Sequence, residues 1–187
     1  MLDCRCQEID AADMRLILLR HAKAMKAEGG MRDRDRPLNG RGRSDAAVIA
    51  GYMAARALVP ERVVVSSAQR TRETWARMAP AFSTALKVAY EDDLYEAKAD
   101  AIVSVIRATG GKAATLLVIG HNPGMQDAVQ LLLARADSAH RLADGLPTAG
   151  LVVIDFAASD WKHLTARSGQ LKEFVSPRLL RSAREDE

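Results

Sequence analysis

The stretch Leu16-Ile-Leu-Leu-Arg-His-Ala22 decides how this chain is read: four apolar residues run unbroken into a cation and an imidazole. A short apolar run without alternation is how a strand buried on both faces of a parallel sheet reads. Val63 to Val65 repeats the pattern ahead of Arg70, and Leu116 to Ile119 repeats it ahead of Gly120-His121. Each run is followed by helical spacing, as parallel strands joined by crossover helices require. Ligands of such sheets lie beyond the carboxyl ends of the strands. Arg20, His21, Arg70 and His121 are therefore expected to converge on one pocket, a nest for a dianion with an imidazole ready to attack it. The expected fold class is α/β, a three-layer α/β/α sandwich whose mostly parallel central sheet carries helices on both faces.

Working outward, residues 22–40 hold charges, Gly29-Gly30, the mixed run RDRDR and Pro37, the marks of a surface loop beside the first strand's end. Apolar residues at 46, 49, 50, 53 and 57 predict a helix that starts at Asn39-Gly40 and ends before Pro60. Thr71, Trp75, Met78, Ala79 and Phe82 share a helical face that puts Arg70 in the first turn, where backbone N–H groups also face outward. Leu86 to Tyr90 reads as a strand, and Ala99, Ile102, Val103 and Ile106 as a helix stopped by Gly110-Gly111. After the strand Thr115 to Ile119, Asn122 suits a cap and Pro123 a first helical position. Leu151 to Phe156 and Leu171 to Val175 read as an antiparallel pair that extends one side of the sheet. The tail from Pro177 is expected to pack loosely.

Length and composition bound the rest. With 187 residues, 48% hydrophobic and 27% charged, the chain suits one globular domain over residues 14–187, after a flexible extension over residues 1–13. Aromatics make up 4% and net charge is +3, with acidic residues scattered among the arginines, which argues against nucleic-acid binding. Cys4 and Cys6 suggest neither a disulfide framework nor a zinc site. No run approaches a membrane span, and the first residues lack the order of a secretion signal, so a cytoplasmic protein without membrane attachment is expected. Nothing in the sequence signals an oligomeric state.

The segments LLRHAKA, SSAQRTRET, LYEA and IGHNPG occur in this order, each at or just after a predicted strand end. With them the chain resembles the histidine phosphatase superfamily, also called phosphoglycerate-mutase-like, over residues 14–175. The Arg-His-Ala-Lys and Gly-His-Asn-Pro-Gly segments are most similar to the small bacterial phosphohistidine phosphatases. The resemblance implies His21 as the nucleophile that becomes a phosphohistidine, and Arg20, Arg70 and His121 as the residues that hold the phosphoryl oxygens. Glu96 then lies where larger members carry a proton donor.

Phosphoryl transfer is catalysed mainly by positioning and by charge, and arginine forks suit its oxygens. Two arginines and an imidazolium at His121 are expected to do this with no metal and no cofactor. His21 must be neutral at its attacking nitrogen, with neighbouring positive charge lowering its pKa and a backbone carbonyl fixing its other nitrogen.

Asn122 and Ser66-Ser67 are further candidate phosphate donors, with capping as the blander role for each. Lys23 reads as a loop lysine at the rim, and Asp92, Asp93 and Asp100 are alternatives to Glu96 as the acid. His140 and His163 read as structural or solvated, and RDRDR as self-paired and solvated. Between Glu96 and His121 there is room for one helix and one strand but no capping insertion. The expected pocket is open, admitting a phosphorylated protein such as a histidine-phosphotransfer domain. A small phosphoester is the alternative substrate, and a non-catalytic phospho-ligand module the remaining one.

Overall fold

A computed structural model describes residues 13–82, 86–134 and 145–185. Its core is a six-stranded sheet, because every predicted strand extends and pairs. β1 (Asp13–Arg20), β2 (Arg62–Ser66), β3 (Lys87–Glu91) and β4 (Thr115–Gly120) run parallel in the spatial order β3-β2-β4-β1. β5 (Leu151–Ala157) lies antiparallel to β1, and β6 (Gln170–Val175) antiparallel to β5. Both were expected on one side of the sheet, and both stand there.

The unbroken apolar runs have the cause inferred from the sequence: alternate residues are covered from opposite faces. Leu16, Leu18, Val64, Leu116 and Val118 pack with Ile102, Ile106, Met125 and Val129 of α3 (Ala99–Thr109) and α4 (Gly124–Leu132). Ile17, Leu19, Val63, Val65 and Ile119 pack with Ile49, Met53, Trp75 and Met78 of α1 (Gly40–Ala55) and α2 (Gln69–Met78). The result is a three-layer α/β/α sandwich. Each aliphatic side chain so buried contributes about 1.5–3 kcal/mol.

Three boundaries differ from expectation. α1 starts as predicted, with Asn39 accepting from the Gly42 amide at 2.8 Å, but it ends at Ala55. Ala57 adopts φ 54° and is exposed, and buried Leu58 takes its place against the core. α4 starts at Gly124, after a cis Asn122–Pro123 bond, so Pro123 precedes the helix and Asn122 does not cap it. The tail is largely exposed, as expected, but it is helical, which was not expected. It forms α5 (Pro177–Glu185), in which Ser176 Oγ accepts from the Leu179 amide at 3.4 Å and Pro177 occupies the first position. Leu180 packs on the α1 side of the core, and Arg181 pairs with buried Asp45 at 2.9 Å. Ser-Pro is the start signal that the sequence reading passed over.

Apart from Asp13, which opens β1, the predicted N-terminal extension lies outside the described residues, as do Cys4, Cys6 and His140. His163 is exposed in a short turn, as expected. No helix among the described residues is long and apolar enough to cross a membrane.

Candidate active site

Strand register brings the two histidines together. Arg20 pairs with Gly120 across β1 and β4, and the His21 amide donates to the Gly120 carbonyl at 3.0 Å. The residues that leave the two strands next are His21 and His121, and their ring centroids are 5.1 Å apart. β2 lies on the other side of β4, so Arg70, in the first turn of α2, reaches the same place. Arg20, His21, Arg70, Glu96, His121 and Asn122 all line one cavity of about 300 Å³. The convergence expected from the sequence is what the fold produces.

His21 has one ring nitrogen committed. Its Nδ1 lies 2.8 Å from the Ala22 carbonyl, so Nδ1–H donates there and the lone pair is left on Nε2. The Ala22 peptide is itself held, its amide donating to Thr74 Oγ1 at 3.1 Å. The pKa of His21 is lowered to about 4, first by burial and then by the charges of Arg70, Arg20 and Arg36. The neutral imidazole expected at His21 from neighbouring charge is therefore present, with burial as the larger cause. Arg20 donates from Nη1 to the Leu146 carbonyl at 2.9 Å, and its buried Nε has no hydrogen-bond partner among the described residues.

His121 corrects the sequence reading. An imidazolium was expected, but burial, His21 and Arg70 lower its pKa to about 3. Its Nδ1 accepts from Arg70 Nε at 3.2 Å, which leaves Nε2–H to donate to Ser66 Oγ at 2.8 Å. In this arrangement His121 is neutral and orients Arg70. Ser66 is thus a partner of His121 rather than a cap or a phosphate donor. Ser67 bonds Asp92 and Arg34, and α2 starts without a side-chain cap.

Asn122 is also otherwise engaged. Its Nδ2 donates to the Leu146 carbonyl at 2.9 Å and to Gln126 Oε1 at 3.4 Å, and its buried Oδ1 has no partner among the described residues, so it lines the cavity without a spare donor in this arrangement. Glu96 stands exposed in the cavity wall at φ 51°. A left-handed backbone is costly for a non-glycine residue and concentrates at functional positions. None of Asp92, Asp93 and Asp100 lines this cavity, whereas Lys23 does, from the exposed rim.

Sequence reasoning missed Asp33, Arg36 and Thr148, which also line the cavity, and Tyr95 behind it. RDRDR is self-paired as expected, through Arg32–Asp35 and Arg36–Asp33 at 2.6 Å each. It is not merely solvated, because Asp33 also binds Arg70. The spacing of Asp33 and Arg36, three apart on one turn, was the available signal. A larger cavity of about 920 Å³ on the far side of the same segments is lined by Arg34, Ser67, Arg72 and Tyr90, and no histidine lines it. No group of three or more His, Cys, Asp or Glu among the described residues is arranged to hold a metal ion.

Comparison with known proteins agrees with this geometry. A solved structure assigned as the phosphohistidine phosphatase SixA of Agrobacterium tumefaciens is 32% identical, with TM-score 0.77, over 88% of this chain and 98% of its own. Residues 16–103 match the histidine phosphatase superfamily, branch 1. The chain belongs to the histidine phosphatase superfamily. It is a phosphatase by that membership. A histidine phosphatase structure assigned as SixA of Nakamurella multipartitia is 28% identical, with TM-score 0.75, over 89% of this chain and 98% of its own. An uncharacterized protein of Mycobacterium leprae is 32% identical over 86% of this chain and its own full length.

Proposed function

We propose that this histidine phosphatase works without a metal, through phospho-His21, and that it removes phosphate from protein phosphohistidine. The observation that carries the mechanism is the His21 Nδ1 bond to Ala22, which leaves Nε2 as a free lone pair in a cavity lined by arginines. Nε2 attacks the phosphorus, the bond from phosphorus to the leaving atom breaks, and the leaving group takes a proton. Water then attacks phospho-His21, breaking the Nε2–P bond and releasing phosphate while a base takes the water's proton. Arg20 and Arg70 hold the phosphoryl oxygens, and charge on the equatorial oxygens is where such forks act. His121 acts through Arg70.

The substrate reading is supported by the open setting, since α3 and β4 are the only helix and strand between Glu96 and His121. It is supported also by likeness to proteins assigned as phosphohistidine phosphatases. Glu96 favours a second reading, a phosphomonoesterase for small metabolites, because it stands where a proton donor is useful. An alkoxide needs that proton, whereas an imidazole, with pKa about 6.5, leaves more easily.

Hydrolysis of phosphohistidine, a phosphohistidine-bearing protein and a panel of sugar phosphates separates the two, together with Glu96→Gln. Protein phosphohistidine is expected to be the best substrate, with Glu96→Gln changing its rate less than about threefold. Loss of sugar-phosphate hydrolysis by about 10²-fold in the same variant is the general-acid effect. A parent that prefers a sugar phosphate would replace the first reading with the second. Chelator is expected to leave activity unchanged.

A further inference from the structure

Arg70 has three of its five N–H groups occupied before any substrate arrives. Nε donates to His121 Nδ1, Nη1 to the Asp33 backbone carbonyl at 2.7 Å, and Nη2 to the Asp33 carboxylate at 2.9 Å. One hydrogen is left on each Nη. The side chain is 5% exposed and has little freedom to turn.

Asp33 is the hub of this arrangement. Its Oδ1 accepts from Arg36 Nη1 at 2.6 Å, and its Oδ2 accepts from the Tyr95 hydroxyl at 3.0 Å as well as from Arg70. The Tyr95 ring meets His121 edge-on at 5.6 Å, with Arg70 over its face at 5.8 Å. One carboxylate therefore ties the loop after β1, the start of α2 and the connection after β3 to a single guanidinium. A negative side chain in a cavity built for an anion repels the ligand. What it supplies in return is the orientation of the arginine.

We propose that Asp33 is a positioning residue for phosphoryl transfer, holding Arg70 against His121 so that the two remaining N–H groups are kept for the transferred group. The proposal rests on the phosphatase reading of the site. It places the effect of Asp33 entirely in Arg70, so loss of the carboxylate falls on the transition state and on its analogues more than on substrate binding. The opposite role is a stand-in that competes with the phosphoryl oxygens for Arg70, and removing it would tighten anion binding.

The test is Asp33→Asn in the full chain, measured with an aryl phosphate as substrate and vanadate as probe. The expected result is a fall in kcat of about tenfold and vanadate inhibition weaker by a similar factor, with KM within about threefold of the parent. In an Arg70→Ala background the same change is expected to add nothing. Tyr95→Phe, which removes one donor to Oδ2, serves should Asp33→Asn fail to fold. It is expected to lower kcat two- to threefold (roughly) at constant KM, and no change at all would overturn the proposal.

Parent-level kcat with tighter vanadate binding in Asp33→Asn, or an undiminished loss in the Arg70→Ala background, would overturn it too. Arg32→Ala, on the same turn with an 81% exposed side chain paired to Asp35, is expected to match the parent. A loss there equal to that of Asp33→Asn would assign the effect to the turn's folding and reject the proposal. A parent that neither hydrolyses the ester nor binds vanadate would instead reject the functional reading, and this proposal with it.

Discussion

The parallel and antiparallel halves of the sheet serve the pocket in different ways. β1, β2 and β4 lead into the side chains that line the candidate site: Arg20 and His21, then Arg70 with Ser66 behind it, then His121. The antiparallel half supplies backbone. β5 runs against β1, so its lead-in returns to β1's carboxyl end. There the Leu146 carbonyl accepts from Arg20 and Asn122, and the Ala149 amide donates to the carbonyls of Arg20 and His21. Charge comes from one half and its frame from the other. Side-chain substitutions on the charged side should therefore hit catalysis, while those on the framing side leave the backbone groups in place.

Arg70→Ala gives the sharpest way to break this division. It is expected to lower kcat by about 10²–10³-fold in the folded variant, as loss of a transition-state donor does, and to lower the thermal midpoint too, because the buried guanidinium bonds His121 and Asp33. A rate within threefold of the parent would remove Arg70 from the machinery.

Next in size is the response to pH. With pKa about 4 for His21 and about 3 for His121 in the fold, and about 6.5 when unfolded, the unfolded chain binds more protons below pH 6.5. Stability is then independent of these two groups above pH 6.5 and falls as pH drops from 6.5 through their folded pKa values. Titration of the two rings by NMR should show neither protonating near 6.5. A midpoint there for His121 would restore the imidazolium that the sequence suggested.

The smallest effect belongs to the framing half. Thr148 lines the cavity from the lead-in to β5, and Thr148→Ala is expected to change kcat by less than about threefold. A tenfold loss would show that this half contributes chemistry as well as frame.

The same division explains what the sequence could tell. Arg20, His21, Arg70 and His121 were legible because each follows an apolar strand whose register is set by burial, so position along the chain became position in space. Asp33 was not, because its role depends on how the loop after β1 folds back onto Arg70, and an alternating charge run looks the same whether solvated or not. The Leu146 and Ala22 carbonyls carry no side-chain signal at all. Asn122 misled because a cap position was inferred from residue type, while α4 starts at Gly124 and the Asn122 side chain turns to the Leu146 carbonyl.

The proposed mechanism has His21 form the bond to phosphorus through Nε2, the nitrogen that the Ala22 carbonyl leaves free. Rapid quenching of the enzyme during turnover under alkaline conditions, followed by peptide mapping and NMR of the trapped phosphohistidine, tests it directly. The prediction is a phosphoryl group on Nε2 of His21, chemically competent to form product and absent from His21→Ala, whose turnover falls at least about 10³-fold. A phosphoryl group on His121, or undiminished turnover by folded His21→Ala, would contradict the account.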